Sequence, residues 1–239
     1  MKKYKTKMGN TVYRLLSGRS NSYLITAPEY NILVDTGVSS SYKKLLSSMN
    51  SLELNNNGID FLILTHTHYD HCQSAAIIKQ DQQCKIIFSE NDYIFVKQGY
   101  TPLPEGTNPI SKIISALGNK ILWKRCCYKP FVGDVLIKDY YDFENLDSII
   151  RIIKTEGHSA GSISIIVDNE IAIVGDAMFG VYKNSVFPPF ADNPKELIKS
   201  WTILLNTGCE IFLPGHGDKI LRGLLMKDFE KYSNIQAIK

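Results

Sequence analysis

The stretch from residue 61 to residue 71 constrains this chain more than any other part of its sequence. Its first four residues, Phe61 to Leu64, are apolar and predict a buried strand. Three histidines and an aspartate follow in the pattern H-x-H-x-D-H, at His66, His68, Asp70 and His71. Alternate side chains of an extended segment point the same way, so the first two histidines can face one point. Once the chain curls after them, the aspartate and the third histidine can face a neighbouring point.

This pattern predicts a metal site, because imidazole and carboxylate groups are ligands for divalent transition metals. The alternative is a surface loop whose histidines have no chemical role. The chain has five histidines, and the two outside the stretch are His158 and His216. Each follows a predicted strand and lies beside a glycine, as does Asp176. Since no histidine is left over, the sequence favours one site that uses all five.

Composition argues against several other kinds of function. The 239 residues are 44% apolar, which is enough for a substantial core. Lys and Arg number 27 against 24 Asp and Glu, and they are scattered, unlike the basic stripe of a nucleic-acid binder. No apolar stretch has the length of a transmembrane helix, and residues 9–11 are polar where a signal peptide needs apolar residues.

The cysteines indicate the cellular compartment of the protein. There are five of them, an odd number, and they lack the spacing of a disulfide framework. We therefore expect reduced thiols in a cytoplasmic protein. The scattered charges and the lack of a long apolar stretch predict no nucleic-acid or membrane partner, and a small-molecule substrate is expected for the predicted site. Cys72, next to His71, is expected to be a buried inert thiol, with metal ligation as the alternative. The oligomeric state is left open.

Apolar periodicity and turn residues predict alternating strands and helices in a single domain of residues 1–239. The predicted strands are 11–17, 23–27, 30–37, 61–64, 85–89, 148–154, 162–167, 170–174 and 210–213. The predicted helices are 40–49, 74–79, 90–97, 111–117, 193–205 and 219–232. Asn193 and Pro194 suit the cap and the first position of their helix. Residues 98–131 begin with a loop rich in proline and match no motif, so we predict an insertion or cap there.

The order of these motifs resembles the metallo-β-lactamase-fold hydrolase superfamily. The likeness runs from the strand ending at Asp35 through H-x-H-x-D-H, Gly157-His158, Gly175-Asp176 and Pro214-Gly215-His216-Gly217. It covers the chain except residues 98–131. The resemblance implies an α+β fold, a four-layer αββα sandwich whose two sheets pack face to face with the metal site along one edge.

The resemblance also implies ligands for two divalent metal ions, zinc or alternatively manganese or iron. One ion would be held by His66, His68 and His158. The other would be held by Asp70, His71 and His216. Asp176 would bridge both ions.

Two carboxylates receive further roles from the resemblance. Asp35 would accept the other N–H of a ligand histidine and fix its tautomer. Its place before a predicted helix also suits an ordinary N-cap. Asp70, besides binding metal, would orient the reacting water.

The chemistry implied is hydrolysis of a carbonyl compound. Two divalent ions that share a water lower its pKa to near neutrality, and the metal-bridging hydroxide attacks the carbonyl without a serine or cysteine nucleophile. Residues 175–179 are similar to the corresponding segment of glyoxalase II-like thioesterases. Lactonase relatives use a tyrosine, here Tyr182, to donate a hydrogen bond to the substrate. We therefore predict a thioester, lactone or related substrate.

Other features leave the substrate open. Glutathione thioesterases carry a lysine and a tyrosine after the bridging aspartate, where this chain has Ser185 and Phe187. Glutathione specificity is therefore not expected. Aromatic residues within 181–190 predict an apolar wall of the pocket, with simple core packing of Tyr182 and Phe187 as the alternative. A mononuclear iron persulfide dioxygenase of the same fold is the alternative function.

Overall fold

The computed structural model describes residues 1–52, 54, 58–143 and 148–237. The strands are β1 (Lys2–Lys5), β2 (Thr11–Leu16), β3 (Ser22–Thr26), β4 (Asn31–Val34), β5 (Phe61–Ile63), β6 (Lys85–Ser89), β7 (Val135–Ile137), β8 (Tyr140–Phe143), β9 (Ile150–Lys154), β10 (Ile163–Val167), β11 (Ile171–Gly175), β12 (Ile211–Pro214) and β13 (Ile220–Leu221). The helices are α1 (Tyr42–Asn50), α2 (Tyr69–Cys72), α3 (Ala75–Gln82), α4 (Tyr93–Gln98), α5 (Pro109–Lys120), α6 (Pro194–Asn206) and α7 (Arg222–Ala237).

Two sheets form from these strands. The first has the order β1-β2-β3-β4-β5-β6-β7, and the second has the order β13-β12-β11-β10-β9-β8. In the first sheet, β4 to β7 are parallel neighbours. In the second, β11 and β12 are parallel. Because parallel strands end at the same edge of a sheet, the loops after β4 and β5, and those after β11 and β12, are brought together pairwise.

The layers follow from which faces of the sheets are apolar. Residues such as Ile63 and Ile165 face each other across the two sheets in one buried cluster. The outer face of the first sheet packs on α1, α3 and α4 through residues including Leu45. The outer face of the second sheet packs on α6 and α7 through residues including Trp201 and Leu225. The order helix, sheet, sheet, helix confirms the predicted α+β, four-layer αββα sandwich.

Strand β10 shows why the central strands are mostly apolar; its one polar residue, Ser164, is buried and hydrogen-bonded to the Thr155 hydroxyl. Ile163 and Ile165 lie in the cluster between the sheets. Ile166, one position on, points to the opposite face and joins the cluster beneath α6. Successive side chains alternate between the faces of a sheet, so a strand covered on both sides needs apolar residues at most positions.

Most predicted elements are confirmed, including the start of α6. The Asn193 side chain accepts a hydrogen bond from the Glu196 N–H at 3.1 Å, and Pro194 is the first helical residue. The helix predicted over 219–232 is wrong at its start, because residues 220–221 pair with β12 before the helix begins. Strands β1, β7 and β8 were not predicted. β1 and β8 carry exposed residues and have no clear apolar pattern, and β7 is only three residues long.

Among the described residues, no helix is both long enough and apolar enough to cross a membrane.

Candidate metal centre

The H-x-H-x-D-H run follows β5 at the edge where the two sheets meet. The backbone of His68 is extended, with φ −63° and ψ 146°, and α2 begins at the next residue. The chain therefore stays extended through His66 and His68 and then curls, which turns Asp70 and His71 toward a second point. The backbone geometry agrees with the expectation from the sequence.

All seven expected ligands are brought together by the fold. Each of three groups has ligand atoms within 4.8 Å of one another, namely His66, His68 and His158; His66, His71 and Asp176; and Asp70, His71 and His216. The Asp176 carboxylate lies between them. Its Oδ2 is 3.2 Å from Nε2 of His216 and 3.6 Å from Nε2 of His158. Its Oδ1 is 3.5 Å from Nε2 of His71.

Asp35 supports the histidine loop from beneath. Its carboxylate accepts hydrogen bonds from the backbone N–H and the hydroxyl of Thr65, both at 2.8 Å. It also lies 2.9 Å from Nδ1 of His71, which leaves Nε2 of that ring directed at the site. Its φ of +59° is uncommon for a residue other than glycine, although aspartate tolerates it better than most. The cap of α1 is Ser41, so Asp35 is not its N-cap.

Hydrogen bonds orient the other histidines as well. Nδ1 of His158 lies 2.9 Å from the Phe190 carbonyl, an arrangement in which the Nδ1–H donates and Nε2 faces the other ligand side chains. That Nε2 lies 3.0 Å from Nδ1 of His68. Nδ1 of His66 lies 3.1 Å from the Thr65 hydroxyl. Partners of this kind fix which ring nitrogen can bind a metal.

The electrostatics divide the site into two parts. Burial lowers the pKa of His66 and His68 well below the ordinary value, and it lowers the pKa of His158. These three rings are therefore neutral, the form that binds metal. Burial would also lower the pKa of His71, but nearby carboxylates, Asp176 foremost, outweigh burial and raise it to about 10.

Asp176 is the centre of the second part. Burial alone would raise the pKa of its carboxyl, but the imidazoles of His216, His71 and His158 hold that pKa well below its usual range. The pKa of His216 is raised, because Asp176 and Asp70 outweigh the opposing effect of burial. The carboxylates thus create a negative region that favours a cation.

The donor set fits divalent transition metals. Nε2 of His66 and Oδ1 of Asp176 are buried and have no hydrogen-bond partner among the described residues. Unsatisfied buried polar atoms are costly, and a bound cation would satisfy both. Imidazole and carboxylate ligands without a thiolate suit zinc, manganese or iron. Cys72 lies outside these groups, since its buried thiol donates to the Thr67 carbonyl at 3.2 Å.

Glycine is required beside the ligands because they are crowded. A Cβ on Gly215 would lie 2.2 Å from Oδ1 of Asp176 and 2.6 Å from Cε1 of His71. A Cβ on Gly175, whose φ is +49°, would lie 2.6 Å from the Thr65 hydroxyl. The glycines that accompany the ligands in the sequence thus leave room for the neighbouring ligands and their support.

A cavity of about 270 Å³ opens above the ligands. Its wall includes ligand residues together with Arg19, Tyr69, Leu103, Pro104, Ile114, Phe179, Pro188, Pro189 and Phe190. The proline and phenylalanine residues of the predicted wall, 188–190, therefore do line the pocket. Beyond Arg19 and Tyr69 a second groove of about 650 Å³ continues along Lys124 and Arg125.

Two aromatic residues of the predicted wall lie elsewhere. Tyr182 is 48% exposed and is not part of the cavity wall; its ring lies 5.3 Å from that of Phe179. Phe179 itself lies against His216, at 5.5 Å between rings. Phe187 stacks on Tyr232 at 4.4 Å, as the core alternative predicted. Tyr182 thus does not line the cavity, where Phe179 lies beside His216 instead, and its hydrogen bond to substrate stays a prediction.

Several supporting residues were missed by the sequence analysis. The Asn21 side chain donates to the Pro214 carbonyl at 2.8 Å, and the Tyr23 hydroxyl donates to the same oxygen at 2.7 Å. The Ser20 hydroxyl donates to the Asp70 carbonyl. In the sequence these residues mark only a turn and a strand, and their partners are distant in the chain, so no local signal could have identified them.

Asp92 is a further buried group beside the ligand loop. Burial raises the pKa of its carboxyl from 3.8 to about 6, although hydrogen bonds from Thr67 act in the opposite direction. Its Oδ2 has no hydrogen-bond partner among the described residues. A Cβ on Gly161 would clash with this carboxylate, so Asp92 is held tightly beneath the segment between two ligands.

The αββα sandwich and its edge cluster of histidine and aspartate define a class of metal-binding proteins. Residues 17–216 match the family model of the metallo-beta-lactamase superfamily. The chain therefore belongs to that superfamily.

Three comparisons illustrate the relationship. A probable metallo-hydrolase of Methanocaldococcus jannaschii is 32% identical over 163 residues, which cover 67% of this chain and 68% of the relative. The uncharacterized protein YobT of Bacillus subtilis is 30% identical over 214 residues, 84% of each chain. A solved metallo-beta-lactamase superfamily protein from Sulfolobus tokodaii has a TM-score of 0.67 at 16% identity, covering 92% of this chain and 85% of that one.

Proposed function

We propose that this protein is a metal-dependent hydrolase that binds two divalent ions, zinc or alternatively manganese or iron. Its substrate would be a small thioester, lactone or related carbonyl compound. The observation that carries the proposal is the pair of adjacent ligand groups, centred on His68 and His158 and on Asp70 and His216, with Asp176 between them. The family and the relative named as a probable metallo-hydrolase support the same conclusion.

Bound ions would supply an activated water at neutral pH and Lewis-acid stabilisation of charge on the substrate carbonyl. The residues of the chain have other tasks. Asp70 lines the cavity, with its Oδ2 3.5 Å from Nε2 of His216, where its carboxylate can accept a hydrogen bond and orient a water. Asp35 holds the His71 ring in place through Nδ1.

The shape of the cavity supports a substrate with an apolar part. Phe179, Leu103 and residues 188–190 give the wall an apolar character, and the ligands form its polar floor. An apolar wall with a few convergent polar groups is the usual form of a small-molecule site. An acyl chain or a lactone ring would lie against this wall with its carbonyl directed at the ligands.

Metal analysis combined with a substrate panel tests the proposal. Protein purified without added metal is analysed for bound metals, reconstituted, and assayed with thioesters, lactones and β-lactams. Two divalent ions per chain and metal-dependent cleavage of one class are expected. One iron with oxygen consumption on a persulfide would replace the proposal with the dioxygenase alternative. Turnover that persists after complete removal of metal would overturn both.

A further inference from the structure

The apolar face of helix α5 points outward, which is the reverse of an ordinary surface helix. Such a helix buries an apolar stripe and exposes polar residues. In α5 the buried residues are Ser111, Ser115 and Gly118. The isoleucines and leucine instead face outward, at positions 110, 113, 114, 117 and 121. At 3.6 residues per turn these positions fall on one stripe along the helix.

The orientation of α5 is fixed by hydrogen bonds on its inner side. The Asn119 side chain accepts from the Leu103 N–H at 2.8 Å and donates to the Leu103 carbonyl at 2.9 Å. The first turn is held by a reciprocal pair, in which Asn108 and Ser111 each bond the other's backbone N–H. A Cβ on Gly118 would lie 2.4 Å from the Leu103 side chain. The helix therefore cannot turn its isoleucines inward without losing these contacts.

The apolar stripe continues past the end of the helix. We define the α5 surface as Ile110, Ile113, Ile114, Leu117, Ile121, Leu122 and Trp123. These side chains are between 42% and 72% exposed. A contiguous group of large exposed apolar side chains marks a site of interaction, whereas single exposed ones need no explanation.

The stretch of sequence that carries this surface has charges of one sign. Residues 106–133 contain five basic residues and no acidic residue. The basic residues are Lys112, Lys120, Lys124, Arg125 and Lys129, all of them exposed. Within the described ranges, none of the five has an acidic side chain within ion-pair distance. An occupant of the α5 surface must therefore be apolar where it meets the stripe and anionic around it.

We propose that the α5 surface docks on an anionic lipid surface. Helices that lie in the plane of a membrane combine isoleucine, leucine or tryptophan on one face with flanking lysine and arginine. The stripe would enter the boundary between head groups and acyl chains, and the basic residues would contact phosphate. This proposal replaces the expectation from the sequence that the protein has no membrane partner.

A second copy of the chain fits this surface less well. A twofold interface brings the same patch of each copy together, so five positive charges would face five positive charges. An anionic lipid surface has the opposite charge. Ile114 belongs to the α5 surface and also lines the metal cavity, so docking would place the mouth of that cavity at the lipid surface.

Vesicle sedimentation tests the proposal without using enzyme activity. The full chain is mixed with vesicles of phosphatidylcholine and phosphatidylglycerol in equal parts, or of phosphatidylcholine alone. We expect sedimentation with the anionic vesicles, at least about ten-fold weaker partitioning to the neutral ones, and loss of binding at high salt. Failure of the wild-type chain to bind anionic vesicles would overturn the proposal.

Matched variants locate the binding surface. Ile113→Glu changes the centre of the stripe, and Ile203→Glu makes the same change at an exposed isoleucine of α6. We expect at least about ten-fold weaker vesicle binding for Ile113→Glu and wild-type binding for Ile203→Glu. Equal binding by both variants would contradict the assignment. A wild-type dimer that Ile113→Glu converts to a monomer, measured by light scattering, would assign the surface to a second copy instead.

Charge reversal provides an independent test of the basic residues. The double variant Lys124→Glu, Arg125→Glu keeps the isoleucine stripe and should lose its preference for anionic over neutral vesicles. Circular dichroism checks that each variant is folded, which we expect because all the changed side chains are exposed. Undiminished preference for anionic vesicles would contradict the role of charge.

Discussion

The metal-ligand loops and helix α5 border the same cavity, yet their side chains are placed in opposite ways. The ligand loops extend from buried strands and are held by further buried groups, such as Asp35 beneath Thr65 and His71. Helix α5 is attached on one side, largely through Asn119 and Leu103, and leaves its isoleucines in solvent. The comparison teaches that the buried sandwich fixes the positions of the histidine and aspartate side chains, whereas α5 leaves its apolar side chains open to contact.

The largest effect is expected on the ligand side. His66→Ala removes a ligand whose Nε2 is buried without a partner, and it should abolish metal binding and lower kcat/KM by at least about a thousand-fold. Metal content and turnover are measured on the same sample. The surface change Lys199→Ala should alter neither quantity. Near-normal turnover of metal-depleted His66→Ala would break the assignment of the ligand loops.

Loss of the Asp35 carboxylate should weaken metal binding less than loss of a ligand does. Asp35→Asn keeps the shape of the side chain but weakens the hold on the His71 ring and the Thr65 backbone. We expect metal affinity to fall about ten- to a hundred-fold. Competition with a chelator measures the change. Unchanged affinity would mean that the ligand loop needs no support from Asp35.

Crowding at the ligands can be tested with a matched pair of glycine variants. Gly215→Ala places a Cβ against Asp176 and His71 and should weaken metal binding by about ten-fold. Gly223→Ala, in α7, places its Cβ in open space. The Gly223→Ala variant should bind metal as the wild type does. Competition with a chelator measures metal binding by both variants. Equal effects of the two changes would contradict the crowding argument.

Asp92 gives the ligand side a dependence on pH. Its pKa is raised in the folded protein, so the folded state holds this proton more tightly than the unfolded chain does. Stability contributed by this group is therefore greatest below about pH 4 and is lost as pH rises through about 6. Asp92→Asn should be more stable than the wild type by roughly 3 kcal/mol at pH 7, with little difference at pH 4. Urea unfolding at pH 4 and pH 7 measures the difference in stability between the two proteins. A difference that does not change with pH would contradict the role of Asp92.

The smallest effect is expected at Tyr182. This residue lies outside the cavity wall, and Phe179 stands between it and His216. Tyr182→Phe should change kcat/KM by less than about two-fold, whereas loss of a hydrogen bond to substrate would cost more. A ten-fold decrease in turnover would support the predicted hydrogen bond from this hydroxyl to the substrate.

The ligand loops could be predicted from the sequence because their geometry is local. The spacing of His66, His68, Asp70 and His71 needs only a strand that ends in a curl. The family resemblance carried by the order of motifs then implied His158, Asp176 and His216 as further ligands, together with the αββα layers. The contacts of Asn21 and Tyr23 with Pro214 could not be predicted, because they join residues that are far apart in the sequence.

Helix α5 shows a second reason why prediction from sequence has limits. The existence of a helix was predicted for residues 111–117, and the structure extends it to Pro109–Lys120. A stripe of isoleucines ordinarily faces the core. Here Ser111 and Gly118 take that place, and close packing of Gly118 against the Leu103 side chain leaves no room for a larger residue there. Periodicity gives the face of a helix but not the direction in which it points.

The expected ligands come from both sheets, so a bound ion would connect the two layers of the sandwich. His66 and His68 follow a strand of the first sheet, whereas His158 follows a strand of the second. An ion held by all three would join residues that are far apart in the sequence. It would resist separation of the two sheets. By mass action, such an ion stabilises the folded state in proportion to the logarithm of its concentration. The metal–histidine contacts would therefore stabilise the packing of the two sheets as well as serve the reaction.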